Sequence, residues 1–197
     1  MSGLLIAFEG LDQSGKQTQV ERLRERLLAR GRTVETWSFP EYTTVIGGEI
    51  GRALMGEREY GPDVMQLLYV ANRCEFRPRL EAWLAEGDVV ICDRYRASSV
   101  AYGDAQGLDP AWLTAIQGYL PEAAITILLD IAPATAVSRK ADGRDRYERD
   151  MALLARVRES YRRQARSGGW TVIDGERPKD EVSAEVERAV LPRLGQR

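Results

Sequence analysis

Apolar positions fall along this chain in short continuous runs separated by longer amphipathic stretches. Leu4-Leu5-Ile6-Ala7-Phe8 is a buried-strand pattern, and the segment behind it sets Val20, Leu23, Leu27 and Leu28 on one helical face as far as about Gly31. Arg32 to Phe39 alternates, with Val34, Trp37 and Phe39 apolar, and predicts a second strand that stops at Pro40. A short helix is expected over 43–55, then a glycine-rich, mobile stretch around Gly56 to Gly61. A long helix follows from Pro62 to about Glu86, because proline suits a first helical turn and Leu67, Leu68, Ala71, Leu80, Trp83 and Leu84 supply an apolar face. The run 88–93 is a third strand of the kind buried in a parallel sheet. Asp109-Pro110 starts a short helix, 124–130 is a fourth strand, and Pro133 opens a helix leading into the charged run Arg139 to Arg146. A helix over 147–166, a fifth strand over 170–174 and a last helix carrying Val182, Val186, Ala189 and Val190 complete the pattern. Strands alternating with helices predict an α/β fold: a doubly wound, five-stranded parallel sheet with helices on both faces, in a single domain over 1–197. Ligands then gather at the carboxyl ends of the strands.

The first strand and first helix are joined by Gly10-Leu11-Asp12-Gln13-Ser14-Gly15-Lys16-Gln17-Thr18, which changes the picture from fold to chemistry. Gly10 and Gly15 allow close backbone approach, so successive N–H groups can face phosphate oxygens, while the helix N-terminus and Lys16 add positive charge. That is the physical content of a Walker A loop, and it implies a P-loop NTPase type of sheet. In that pattern a Ser or Thr follows the lysine and binds Mg²⁺. Here Gln17 follows it, and either its amide oxygen or the hydroxyl of Thr18 is left to serve.

Composition narrows the chemistry further. The chain has 197 residues, a formal net charge of −2 and no histidine, which removes Ser-His-Asp catalysis and histidine-ligated zinc. The balance of charge argues against a general nucleic-acid or membrane surface, and no apolar run reaches bilayer length, so a cytoplasmic protein is expected. Cys74 and Cys92 have no metal-ligand spacing. Phosphoryl transfer, which depends on positioning and charge, suits what is left. Asp93, ending the third strand, is where a Mg²⁺-binding carboxylate belongs, and Arg94 beside it can clamp a phosphate. Asp130 ends the fourth strand. Tyr69 and Arg73, four residues apart, share a helix face and can stack on and hydrogen-bond a nucleobase. The basic run 139–149, with Arg144 and Arg146, can close as a helical lid over a transferring phosphoryl group.

These motifs together resemble the thymidylate kinase family of P-loop nucleoside-monophosphate kinases: residues 8–16, Phe39-Pro40, Ala71-Asn72-Arg73, Asp93-Arg94-Tyr95 and Ser98-Ser99-Val100-Ala101-Tyr102. The resemblance implies an enzyme that uses ATP and Mg²⁺ to phosphorylate dTMP to dTDP, commonly as a homodimer, for which the helix at 62–86 is a possible contact. It assigns Gly10 to Thr18 to ATP, with Lys16 on the β- and γ-phosphates and Asp12 near the acceptor phosphate. It places Phe39, Pro40, Tyr69, Arg73, Arg94, Ser98, Ser99 and Tyr102 around dTMP. Asp93 and Gln17 are the metal candidates, and Asp12, Lys16, Arg94, Arg144 and Arg146 the catalytic ones. An arginine facing O4 selects thymine or uracil over cytosine, whose amino group donates. Two departures bear on these roles. Gln13 stands where some relatives carry arginine, and Glu41-Tyr42 where many place one. Another P-loop nucleotide or deoxynucleoside kinase, or a nucleotide-binding regulatory protein without turnover, are the competing expectations.

Overall fold

A computed structural model describes residues 3–139, 147 and 150–194. Five parallel strands, β1 (Leu4–Glu9), β2 (Val34–Ser38), β3 (Val89–Asp93), β4 (Ile125–Asp130) and β5 (Thr171–Asp174), lie in the order β2-β3-β1-β4-β5. The helices are α1 (Lys16–Leu28), α2 (Val45–Leu54), α3 (Pro62–Glu86), α4 (Arg96–Ala105), α5 (Pro110–Ala115), α6 (Pro133–Arg139), α7 (Met151–Gly168) and α8 (Lys179–Val190).

Because side chains alternate along a strand, each strand feeds two cores. Ile6 and Phe8 of β1 pack with Val20, Leu23 and Leu27 of α1 and Val182, Val186 and Val190 of α8. Leu5 and Ala7 point the other way, to Val90, Cys92, Leu80 and Tyr95, and the neighbouring core on that side joins α2, α3, α4 and α7. Phe8 and Ser38 both pair with Asp93, so the carboxyl ends of β1, β3 and β2 finish in one row. The central strand β1 is where connections leave to both sides, and the crevice beyond its end is the switch point that such sheets offer to ligands.

Four details differ from the sequence reading. The segment 96–105 is a helix that hydrophobic periodicity did not reveal. Helix α7 starts at Met151 rather than near 147, because the Asp150 side chain accepts from Leu153 N at 2.9 Å and caps it. On α3 the inward face is Met65, Gln66, Val70, Asn72, Arg73 and Leu80, whereas Leu67 is 47% exposed. Leu28 likewise turns outward.

Candidate active site

The loop after β1 is held open by its backbone. Gly10 sits at φ +141°, and a Cβ there would lie 2.4 Å from the Leu129 carbonyl oxygen of β4, so only glycine lets the chain leave the sheet this way. Lys16, the first residue of α1, folds back and donates from Nζ to the carbonyls of Leu11 at 2.9 Å and Gly10 at 3.3 Å. Burial, and then the nearby Arg94, push its pKa down, opposed by Asp93, Asp12 and Glu9. Gln17 is exposed in the first turn of α1, where its Nε2 donates to Glu21 at 3.1 Å. With Lys16, Thr18 and Asp93 it borders a cavity of about 820 Å³. The Oδ1 atom of Asp93, a residue that borders the same cavity, is buried and has no hydrogen-bond partner among the described residues.

A second cavity, of about 510 Å³, opens beside the first and is lined by Tyr69, Arg73, Ser98, Ser99 and Tyr102. Asp12 and Arg94 border both. They form an ion pair at 2.8 Å, with the Arg94 side chain 13% and the Asp12 side chain 37% exposed. Burial works against the Asp12 charge, but the Arg94 guanidinium and the Lys16 ammonium outweigh it and hold the carboxyl well below the usual carboxylate range. Arg94 also reaches Ser98 and Tyr161 from Nη1 and the Tyr102 hydroxyl from Nη2. Its backbone sits at φ +63°, and that of Gln13 at +62°. Two non-glycine residues in the left-handed region, both bordering the first cavity, are strain of the sort that functional sites hold.

Beneath Arg94 lies a buried carboxylate without an assigned role in the sequence reading. Glu9, the last residue of β1, accepts from Ser98 Oγ at 2.6 Å, Tyr95 N at 2.9 Å and the Tyr161 hydroxyl at 3.1 Å. It thereby ties β1, α4 and α7 together behind Ser98, which lines the second cavity. Burial raises the Tyr161 hydroxyl's pKa, so it remains a neutral donor.

Arg73 is buried on α3 and donates from Nη1 to Ser99 Oγ at 2.8 Å. Burial lowers its pKa, with Glu9 opposing. The loop after β2 is shaped by Asn72, the neighbouring residue. Its Oδ1 accepts from Glu41 N at 2.8 Å, and its Nδ2 donates to Glu41 O and Thr44 Oγ1. Gly47 permits the approach, since a Cβ there would collide with the Glu41 carbonyl. The Phe39-Pro40 bond in this loop is cis. Both Phe39 and Pro40 border the two cavities.

The structure therefore brings Asp12, Gln13, Gly15, Lys16, Gln17, Thr18, Phe39, Pro40, Tyr69, Arg73, Asp93, Arg94, Ser98, Ser99 and Tyr102 to one crevice, whereas Gly10, Leu11 and Ser14 of the same loop are buried away from its walls and Leu11 packs in the core. Arg144 and Arg146 lie outside the described residues. Arg139, where the basic run begins, donates to the carbonyls of Gln13 at 3.0 Å and Gly175 at 3.1 Å. Asp130 does not enter the crevice as a free carboxylate, because Arg158 and Arg162 of α7 both pair with it. Glu9, Asn72 and Tyr161 are residues to which the sequence reading gave no role. Glu9 and Asn72 stand inside the motifs that carry the resemblance, and Glu9 is also a carboxylate ending an otherwise apolar strand, whereas Tyr161 left no signal.

A family profile described as thymidylate kinase matches residues 8–186. The chain is 35% identical over 192 residues to a thymidylate kinase of Arabidopsis thaliana, covering 98% of this chain and 72% of that one. It is 37% identical over 190 residues to a probable thymidylate kinase of Pyrobaculum calidifontis, covering 93% of each. The solved thymidylate kinase of Candida albicans superposes with a TM-score of 0.82 at 26% identity, over 98% of this chain and 92% of that chain. With a profile matching most of its length and relatives above 30% identity over nearly all of it, the chain belongs to the thymidylate kinase family.

Proposed function

We propose that this kinase transfers the γ-phosphoryl group of ATP to the phosphate of dTMP with Mg²⁺, and that the two adjoining cavities hold donor and acceptor. The observation that carries the reading is their shared wall: Asp12 and Arg94 border both. A phosphate chain on the Gly10–Thr18 loop and a nucleoside monophosphate in the second cavity meet across that pair. The acceptor oxygen is already anionic at neutral pH, so no general base is required, and the protein's task is positioning and charge stabilisation. Lys16 serves the donor phosphates and Arg94 the acceptor phosphate. Tyr69 stacks on the base, Arg73 donates to its O4, Ser98 and Ser99 lie along it, and Tyr102 faces the sugar. The lid arginines Arg144 and Arg146 supply charge at the transferring group.

The donor set suits Mg²⁺. Asp93 has a buried, unpartnered oxygen, with Gln17 and Thr18 on the same cavity, and no group of three ligating side chains gathers among the described residues. Such a site leaves most of the ion's shell to phosphates and water, as Mg²⁺ prefers. When bound there, the ion offsets charge on the donor phosphates. Both cysteines are free, as suits the reducing cytoplasm in which we place the enzyme. A second copy covers Val64 and Leu67, apolar residues left exposed on α3. Sedimentation velocity of the wild type and Leu67→Glu should show a dimer and a monomer, and a monomeric wild type removes that assignment.

ADP release measured with dTMP, dUMP, dCMP, UMP, AMP and thymidine in turn tests the function. Fastest turnover with dTMP is expected. Equal turnover with dCMP or AMP, or ADP release that no acceptor stimulates, overturns the acceptor assignment.

A further inference from the structure

Gln66 stands on α3 three residues before Tyr69 and seven before Arg73, so the three side chains share one stripe of the helix. It borders the acceptor cavity with them, and the residue is 0% exposed. Both its Oε1 and its Nε2 lack a hydrogen-bond partner among the described residues, and so does Nε of Arg73. Buried amides are nearly always paired, and an unpaired one forfeits hydration without return. An apolar residue of similar length would fill the position at no such cost, so the carboxamide points to a partner that arrives with the ligand.

Its chemistry narrows that partner. A carboxamide presents one acceptor beside one donor, the complement of a ring N–H next to a carbonyl. Thymine and uracil carry that pair at N3–H and a flanking C=O. Cytosine has an unprotonated N3 instead. A carboxamide alone can turn over and satisfy either base, since its last torsion is broad. Arg73, which only donates, removes that freedom by requiring a carbonyl at its own end of the base.

We propose that Gln66 is a specificity-determining residue of the acceptor site, its Oε1 accepting from N3–H of the pyrimidine and its Nε2 donating to an adjacent carbonyl. The inference rests on the dTMP reading given above. It assigns a residue outside the stacking and O4-donating pair, and it makes the pocket a reader of the imide edge as a whole.

The test is Gln66→Met, which keeps length and removes both polar atoms, together with N3-methyl-dTMP, which removes the ligand's donor. Wild type should bind dTMP at least about tenfold more tightly than the N3-methyl compound. In Gln66→Met the KM for dTMP should rise by about tenfold or more, with kcat and the KM for ATP little changed, and the preference for dTMP over its N3-methyl analogue should shrink. The unliganded variant should melt no lower than wild type, because an unpaired buried amide has been replaced by an apolar chain. A merely structural Gln66 gives the reverse, a lower melting temperature with an unchanged KM, and overturns the inference. Equal binding of dTMP and N3-methyl-dTMP by wild type overturns it without any variant. A wild type that phosphorylates dTMP while Gln66→Met keeps its KM sinks the role of Gln66 alone, whereas a wild type that binds no dTMP sinks the dTMP reading and this inference with it.

Discussion

The donor loop and the acceptor pocket are built by opposite means. Between Gly10 and Thr18 the chain is shaped by its backbone, with Gly10 and Gly15 at positive φ, and the side chains that matter, Lys16 and Asp12, are anchored within the same few residues or one strand away. The acceptor pocket takes most of its residues from the β2–α2 loop, α3 and α4, with Asp12 and Arg94, and its wall residue Ser98 is held from behind by Glu9 and Tyr161, 152 positions apart. One site is local and depends on backbone shape. The other exists only when distant elements have docked.

The difference predicts how each site fails. Lys16→Ala should have the largest effect: kcat should fall by about a thousandfold while the melting temperature stays near wild type, because a point charge is lost and the loop's backbone is not. Residual turnover within tenfold of wild type removes Lys16 from the chemistry. Arg94→Ala should raise the acceptor KM by about a hundredfold and leave that for ATP close to wild type, and an unchanged acceptor KM defeats the division between donor and acceptor residues. Glu9→Ala should act on the pocket through the fold. With three buried donors left unpaired, stability should drop by about 2–4 kcal/mol in denaturant titrations, and a loss below about 0.5 kcal/mol contradicts the tie between β1, α4 and α7.

The smallest effect sharpens the contrast at the sheet's other side. Burial opposes ionisation of Asp130, but hydrogen bonds from Arg158 and Arg162 outweigh it and lower its pKa below 3.8. A carboxyl whose folded pKa is depressed adds stability that is fully present above the unfolded value and disappears as pH falls through the folded one. Unfolding free energy should therefore decline below about pH 4. Asp130→Asn should flatten that decline while lowering stability at pH 7, and an unaltered acid limb counts against the assignment.

What could be read from the sequence follows the same division. The loop was legible because its glycines, lysine and flanking strand and helix are contiguous, and Asp93 and Arg94 because they end an apolar run. Helix α4 was not legible, since Arg96–Ala105 is rich in small residues and buried on nearly every side, leaving no polar stripe to set a 3.6-residue period. Gln66 stayed hidden, and Asn72 was read only as part of a motif, for a related reason. Polar residues on a helix read as a solvated face, and what marks the part these two play is the company they keep after folding. Tyr161 looks like any core aromatic until its hydroxyl meets Glu9. The basic run 139–149 was legible as chemistry, and of it the structure describes only Arg139 and Tyr147.

The pairing of Arg94 with Asp12 has a consequence for what the pocket admits. An arginine that already faces a carboxylate is occupied by an internal competitor for any incoming anion. A nucleoside without a phosphate brings nothing to outbid that carboxylate, and a monovalent anion merely matches its charge. A phosphate monoester, carrying close to two negative charges and three acceptor oxygens, exceeds it and can draw guanidinium donors away. On the proposed reading, Asp12 would set a charge threshold for whatever anion Arg94 takes up, and nucleotide would be favoured over nucleoside before any base is read.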